Sequence, residues 1–155
     1  MKLSYRSTAS MLCLSVVFGL GCASGQMSSA GKSPGPTVID TDAPTEFTTT
    51  ASGLKYKVLR KGDGTNPRAS DRVTVNYKGW LDSGRIFDSS YRNGEPITFG
   101  LQQVVPGWTE GLQLVSEGGM IELEIPAQLG YGSQVQSGIP PNSTLHFIVE
   151  LIKVE

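Results

Sequence analysis

Apolar and polar residues alternate in several short stretches of the chain after residue 50, and this alternation predicts β-strands. The alternating stretches are residues 54–58, 73–77, 97–99, 121–125 and 145–151. A period of two places every second side chain on the same face of a sheet, so each stretch is expected to bury one face. The turn-forming residues 82–84 (Asp-Ser-Gly) predict a hairpin after the second stretch.

One segment has the spacing of a helix instead. Pro106 is expected to begin it, because proline suits a first helical turn, in which its missing N–H is not needed. Trp108, Leu112 and Val115 then fall on one face, and the glycine pair at residues 118–119 is expected to end the helix. About five antiparallel strands and a single short helix predict an α+β domain over residues 51–155, with the helix packed on one face of the sheet.

The first 50 residues lack this periodicity and predict a different organisation. A positively charged start precedes an apolar stretch at residues 9–20 that is too short to span a membrane, which indicates a signal peptide at residues 1–21. Cys22 follows Leu-Gly and resembles the lipidated cysteine of bacterial lipoproteins. Because Gly19 stands where such sites usually carry leucine, a plain secretion signal is the alternative. Residues 22–50 are expected to be the lipidated cysteine and a flexible tether rich in Ser, Thr, Pro and Gly.

Composition argues against several classes of function. The formal net charge of -1 gives no excess of positive charge, which proteins that bind nucleic acids usually have. Both cysteines, Cys13 and Cys22, precede the predicted domain, so no disulfide is expected inside it. The sequence has no metal-ligand cluster, no glycine-rich phosphate loop and no Ser/His/Asp arrangement, and we therefore expect neither a metal nor a cofactor.

The pattern instead predicts an apolar pocket between the sheet and the helix. Tyr77, Phe87 and Phe147 can form its walls and Trp108 its floor, although core packing alone would also explain these aromatic residues. Asp88 follows an apolar pair, and a carboxylate there either faces solvent or is held by hydrogen bonds at the pocket edge.

Two further residues are expected at the rim of this pocket, and one is expected elsewhere. Tyr131, which lies between two glycines, and Ile139 belong to a loop that can reach the rim. His146 is the only histidine, and its position within the last strand predicts an exposed outer face without a catalytic role.

Four segments occur in an order and spacing that resemble the FKBP-type peptidyl-prolyl cis-trans isomerases. They are VNYKGWLDSGRIFDSS, ITFGLQQVVPGWTEGLQLVSEGG, EIPAQLGYGS and GIPPNSTLHFIVELIKVE. The resemblance extends from about residue 53 to residue 155. It implies a half-open antiparallel sheet wrapped around one short helix, and an enzyme that rotates X–Pro peptide bonds. The catalytic residues that it implies are Tyr77, Phe87, Asp88, Tyr131 and Phe147. The substrate-binding residues that it implies are Ile97, Val104, Val105, Trp108 and Ile139.

The chain departs from the family pattern in three places, one of which is the short loop between Tyr131 and Ile139. Ile97 stands where the best-known members carry an aromatic residue, so one pocket wall is expected to be thinner and macrolide binding weaker. Asn93 stands where an arginine often pairs with the aspartate that corresponds to Asp88. The resemblance further implies that the Ile139 N–H and the Tyr131 hydroxyl hold substrate carbonyl groups.

The resemblance and the predicted signal together imply a biological setting. Expected partners are proline-containing unfolded or nascent exported polypeptides, and tacrolimus and rapamycin are expected inhibitors. The expected location is the cell envelope or periplasm, with membrane contact only through the lipid anchor. A binding module that recognises proline without turnover is the alternative, since a fold does not guarantee activity. The presence of Asp88, Tyr131 and Phe147 favours the enzyme.

Overall fold

The structure is a computed structural model that describes residues 38–155. The predicted signal peptide, Cys22 and the first part of the predicted tether lie outside the described residues. Among the described residues, no helix is both long and apolar enough to cross a membrane.

Seven strands form one antiparallel sheet, and a single α-helix accompanies it in the described part of the chain. The strands are β1 (Thr48–Thr49), β2 (Lys55–Arg60), β3 (Arg72–Leu81), β4 (Ile86–Ser89), β5 (Ile97–Gly100), β6 (Met120–Ile125) and β7 (Leu145–Val154). The helix α1 spans Pro106–Leu112, and two 3-10 turns span Ser90–Arg92 and Ala127–Leu129. The strand order is β1-β2-β6-β7-β3-β4, and β5 pairs with the first half of β3. The predicted fold is confirmed, with two more strands than the sequence pattern indicated.

The core lies between one face of this sheet and helix α1. In the central strand β3, Val73 and Val75 are fully buried, whereas Thr74 between them is only partly buried. Strand β7 contributes Val149 and Leu151 to the same buried cluster, and α1 adds Leu112 from the other side. The buried faces of the strands and the apolar face of the helix therefore pack together in one core.

Helix α1 ends earlier than the sequence pattern predicts. It stops at Leu112, with Gln113 as its C-cap, and not at the glycine pair 118–119. The backbone of that pair is hydrogen bonded to strand β7: Gly118 donates to the Leu151 carbonyl at 2.7 Å, and Leu151 donates to the Gly119 carbonyl at 2.9 Å. A chain that must meet a strand edge there cannot continue as a helix, although Val115 remains buried as predicted.

Ordered structure begins before residue 51, where the sequence pattern placed the start of the domain. Thr48 in β1 pairs with Tyr56 in β2. Further upstream, the Asp40 N–H donates to the Leu59 carbonyl at 2.9 Å, and the Asp40 carboxylate accepts the Lys61 N–H at 2.8 Å. Residues 38–50 are therefore part of the folded unit, and only the portion of the predicted tether before residue 38 lies outside the described residues.

This boundary leads to a first prediction about stability. Deleting residues 38–50 should lower the free energy of unfolding by about 3 kcal/mol or more, because three backbone hydrogen bonds of about 1 kcal/mol each and the β1–β2 pairing are lost. Deleting residues 23–37 is the matched control and should change it by less than about 0.5 kcal/mol. Urea unfolding followed by tryptophan fluorescence measures both, and equal stability of the two deletions would contradict the boundary.

Candidate active site

A cavity of about 440 Å³ opens beside the start of helix α1. Its walls come from β3, β4, β5, β7 and the two loops that precede α1 and β7. The lining residues are Tyr77, Phe87, Asp88, Phe99, Gln103, Val104, Val105, Trp108, Tyr131, Gln134, Gln136 and Phe147. Eight of the ten residues predicted from the sequence are brought together here, and Ile97 and Ile139 are not among them.

Strand register brings two aromatic walls together across a glycine. Gly79 of β3 lies opposite Asp88 of β4 on one side and opposite Phe147 of β7 on the other. A Cβ atom on Gly79 would lie 2.6 Å from Phe147 and 2.7 Å from Phe87, which is closer than carbon atoms approach. Because Gly79 has no side chain, the rings of Phe87 and Phe147 can meet edge to face at 5.5 Å between centroids.

Trp108 forms a rigid aromatic floor. It is 4% exposed, and it meets Tyr77 and Phe147 nearly at right angles with centroids 5.2 Å apart in both pairs. Phe99 contacts it in the same way at 5.6 Å. Edge-to-face packing of this kind fixes ring orientation in addition to burying apolar area. The Trp108 Nε1–H is buried and has no hydrogen-bond partner among the described residues, so the floor retains an unused donor.

Asp88 is held at the cavity edge by two hydrogen bonds. The Tyr77 hydroxyl donates to Oδ2 at 2.5 Å, and the Ser89 N–H donates to Oδ1 at 2.8 Å. Burial raises the pKa of the Tyr77 hydroxyl well above its ordinary value, and the hydrogen bond to Asp88 raises it further. Tyr77 is therefore a neutral donor at physiological pH. These two donors orient the carboxylate at the cavity edge.

The loop between Gly130 and Pro141 contributes part of the cavity rim. Tyr131, Gln134 and Gln136 reach the cavity from it. A hydrogen bond across its base restrains the loop: the Asn142 N–H, just after the loop, donates to the Gly132 carbonyl at 2.7 Å. The guanidinium of Arg85, in the turn between β3 and β4, donates to the Gly138 carbonyl and links that turn to the loop.

The Ile139 N–H, the expected donor for a substrate carbonyl, is engaged within its own loop. Ile139 is 6% exposed, and its N–H already donates to the Gln136 carbonyl at 2.9 Å within the loop. Val105, the N-cap of helix α1, lines the cavity, and its N–H makes no hydrogen bond within residues 38–155. Val104 also lines the cavity, and its N–H likewise makes no hydrogen bond within residues 38–155, so Val105 is one of the backbone donors available there. A helix start leaves its first N–H groups without intrahelical acceptors, which is the signal that could have indicated it.

Residues that the sequence pattern did not single out complete the lining. Phe99 follows Ile97 by two positions in β5 and shares its face; Ile97 pairs with Val75 and packs against the core, while Phe99 reaches the cavity. The period of two could have indicated Phe99. Gln103, Gln134 and Gln136 lie in loops, where no periodicity marks them.

His146 lies away from the cavity, as the sequence predicted. Its ring stacks on Trp80 of β3 at 5.7 Å between centroids, and its Nε2 lies 2.6 Å from Asp82 Oδ1. These contacts occupy the face of the sheet opposite the core.

A second buried tyrosine, Tyr91, determines with Tyr77 how stability depends on alkaline pH. Tyr91 is 7% exposed, and its hydroxyl donates to Glu150 Oε2 at 2.8 Å. Burial raises the pKa of this hydroxyl above its ordinary value near 10, as it does for Tyr77, and the hydrogen bond to Glu150 adds to the rise. Below pH 10 both the folded and unfolded chains keep these protons, so the stability that the neutral tyrosines contribute is fully present there. Above pH 10 the unfolded chain loses them first, and stability falls.

We therefore expect the free energy of unfolding to fall by up to about 1.4 kcal/mol per pH unit for each of these two tyrosines above pH 10. In the Tyr91→Phe variant, the fall of the unfolding free energy with pH should correspond to one fewer proton released on unfolding. In the double variant Tyr77→Phe/Tyr91→Phe it should correspond to two fewer. Urea titrations between pH 9 and pH 11.5 measure the slopes. Identical slopes in wild type and double variant would contradict the assignment.

Comparison with known proteins places this geometry in a family. The family model for FKBP-type peptidyl-prolyl cis-trans isomerase matches residues 63–152. The isomerase FkpA of Escherichia coli (strain K12) is 53% identical over 107 residues, which cover 69% of this chain and 40% of that protein. The isomerase Mip of Coxiella burnetii is 49% identical over 108 residues, covering 69% of this chain and 47% of that protein.

A solved structure supports the same assignment. The crystal structure of FkpA from Escherichia coli aligns with a TM-score of 0.70 at 51% identity, covering 72% of this chain and 53% of that one. The chain thus spans less than half the length of the two curated relatives. Since the family model covers more than half of this chain and the cavity residues fall within the matched region, the chain belongs to the family of FKBP-type peptidyl-prolyl cis-trans isomerases.

Proposed function

We propose that this chain catalyses the cis-trans isomerisation of X–Pro peptide bonds. The observation that carries the proposal is the 440 Å³ aromatic cavity with one fixed carboxylate at its edge, in a chain of the FKBP family. The volume falls within the range of small-molecule sites and suits a proline ring with its neighbouring peptide groups.

The proposed mechanism follows from the bond that rotates. The planar amide is stabilised by delocalisation of the nitrogen lone pair, which gives a rotation barrier of about 18–20 kcal/mol. In the twisted transition state this delocalisation is lost, and the amide becomes less polar. An apolar cavity therefore favours the twisted form over the planar form, and each 1.4 kcal/mol of preference gives about a tenfold rate increase. No covalent intermediate or proton transfer is needed.

Each cavity group has a role in this proposal. The Trp108 floor and the rings of Phe99 and Phe147 hold the proline ring. The Val105 N–H and the Tyr131 hydroxyl are donors for the substrate carbonyls on either side of the rotating bond. Asp88 is an electrostatic wall group, and its orientation by Tyr77 and Ser89 leaves it no freedom to act as a mobile base.

A protease-free assay separates catalysis from mere binding. Exchange spectroscopy on a short peptide with one X–Pro bond should show cis-trans exchange that is accelerated by the full chain, and tacrolimus should suppress the acceleration. Chemical-shift changes without faster exchange would support the alternative of a non-catalytic module that binds proline segments. Absence of both would contradict the proposed site.

We propose that the natural substrates are unfolded or newly exported polypeptides in the cell envelope. X–Pro isomerisation takes tens to hundreds of seconds without a catalyst, which is slow enough to limit folding. The signal-like sequence at residues 1–21 supports export, and Cys22 supports attachment to a membrane by lipid. Tacrolimus and rapamycin are the proposed inhibitors, and no nucleic acid or metal partner is proposed.

The lipid anchor is directly testable. We expect cleavage before Cys22 and acylation of that residue, because the preceding Leu-Gly resembles a lipoprotein processing site. In a bacterial host, mass spectrometry of the mature N-terminus should show lipid mass on Cys22, and Cys22→Ala should leave the precursor uncleaved or release the protein from membranes. A mature N-terminus downstream of Cys22 without lipid mass would contradict the anchor. Cys13→Ala is the matched control and should be processed normally.

A further inference from the structure

A second groove lies against the main cavity and shares a wall with it. It encloses about 490 Å³ and is shallower than the main cavity. The lining residues are Ala69, Leu101, Gln102, Val104, Pro106, Thr109, Glu110 and Gln113. Val104 lines both spaces, so a polypeptide with its proline in the main cavity can continue directly into the groove.

The floor of this second groove is held in place by hydrogen bonds. Leu101 is fully buried; its N–H donates to the Asp71 carbonyl at 3.0 Å, and its carbonyl accepts the Thr109 hydroxyl at 2.6 Å. Pro106 adds a rigid ring at the start of helix α1. The groove is therefore a fixed, largely apolar surface. Because it is already ordered, little conformational entropy is lost when a substrate binds there.

A carboxylate that has no cationic partner among residues 38–155 lies on one side of the groove. Both oxygens of Glu110 accept the Ser52 hydroxyl, at 2.9 and 2.7 Å. No lysine, arginine or histidine of residues 38–155 forms an ion pair with Glu110. An apolar floor beside an unpaired carboxylate complements a side chain with an aliphatic stem and a cationic head, which is the chemistry of lysine and arginine.

We propose that this groove is a second substrate subsite, which takes a lysine or arginine side chain from the same polypeptide whose proline occupies the main cavity. The aliphatic stem lies on Val104 and Pro106, above the buried Leu101, and the cationic head pairs with Glu110. The inference rests on the proposed function and narrows its substrate class to proline segments with a basic residue nearby. Because the groove is open to solvent, the preference is modest, at about two- to fivefold in KM.

A peptide series tests the subsite. Each peptide carries one X–Pro bond, and lysine, norleucine or glutamate is placed in turn at each of three positions on either side of it. Norleucine keeps the stem and removes the charge. Exchange spectroscopy is used because a coupling protease would itself respond to lysine. At one position lysine should lower KM about two- to fivefold relative to norleucine at low salt, and glutamate should raise it.

Variants assign the preference to Glu110. The lysine preference should vanish in Glu110→Gln and reverse toward glutamate in Glu110→Lys, with kcat nearly unchanged. Glu95→Gln removes an exposed carboxylate that lines neither space and should keep the preference. Ser52→Ala removes the hydrogen-bond partner of Glu110 but leaves its charge, so it separates a structural role from recognition and should also keep the preference.

Two results would overturn the subsite. One is a lysine preference that persists in Glu110→Gln, which would assign it to Asp88 or another group. The other is the absence of any lysine preference at all six positions. If no peptide is isomerised, the proposed function fails separately, and peptide affinities from chemical-shift titrations of the same series still decide whether Glu110 selects a basic side chain.

Discussion

Replacing Gly79 by alanine should reduce turnover at least tenfold and lower the free energy of unfolding by about 1–3 kcal/mol. The added methyl group would lie 2.6 Å from Phe147 and 2.7 Å from Phe87. Both rings belong to the cavity wall and pack against each other, and Phe147 also packs against Trp108, so a shift of either ring changes the shape of the site. A single methyl group at a position outside the cavity lining should therefore disrupt the arrangement that selects the twisted amide.

The effect on the site can be separated from the effect on stability. Gly111→Ala is the matched control, because its added methyl group would meet Leu123 at 2.6 Å, in the core and not in the cavity wall. Both variants should be destabilised in urea unfolding, and only Gly79→Ala should lose turnover per folded molecule. Full turnover in Gly79→Ala, measured by exchange spectroscopy at a temperature where it is folded, would contradict the role of this glycine.

The sequence predicted the strands well because burial on one face leaves a period of two. In β3, β6 and β7 the alternating apolar residues face a single core, and their positions could be located without knowing their partners. The end of helix α1 could not be located in this way. The glycines that should have ended it are held by backbone hydrogen bonds to Leu151, a partner more than 30 residues away, which the local pattern does not encode.

The residues of the candidate site also fall into two groups: some follow from the local sequence pattern, and others depend on the conformation of loops. Trp108, Tyr77 and Phe147 were predicted at a pocket because aromatic residues on buried faces can meet near the helix, with core packing alone as the alternative, and in the structure their rings are in contact. Gln134 and Gln136 depend on the conformation of a loop, so nothing in their spacing indicated the cavity. Whether the N–H of Ile139 or of Val105 is available to a substrate likewise depends on hydrogen bonds within loops, which the local pattern does not encode.

Strand β7 gives the most direct test of the proposed mechanism, because neighbouring residues point to opposite faces. Phe147 is 6% exposed and forms a cavity wall, whereas His146 stacks on Trp80 on the outer face. The two residues are neighbours on one strand, but one side chain lines the cavity and the other lies on the outer face of the sheet. A mechanism based on apolar surroundings needs the phenylalanine, and one based on proton transfer would need a titrating group such as histidine.

We expect Phe147→Ala to lower the free energy of unfolding by about 3–5 kcal/mol, because it leaves a void beside Trp108 and Phe87. Turnover of the remaining folded protein should fall at least tenfold, since the cavity then admits water. His146→Gln should change turnover less than twofold, because glutamine retains a polar partner for Asp82. Urea unfolding and exchange spectroscopy measure both variants under the same conditions.

The pH dependence of the wild type completes this test. Between pH 6 and pH 8.5 turnover should be nearly flat, because the Tyr77 hydroxyl has a pKa raised well above this range and no proposed step transfers a proton. Histidine is the side chain that ordinarily changes charge in this interval, and the chain has only one. A bell-shaped profile in the wild type that disappears in His146→Gln would overturn the mechanism, since proton transfer from the outer face would then be coupled to rotation. A flat profile in both, together with the loss of turnover in Phe147→Ala, is the result expected when the apolar wall alone lowers the barrier.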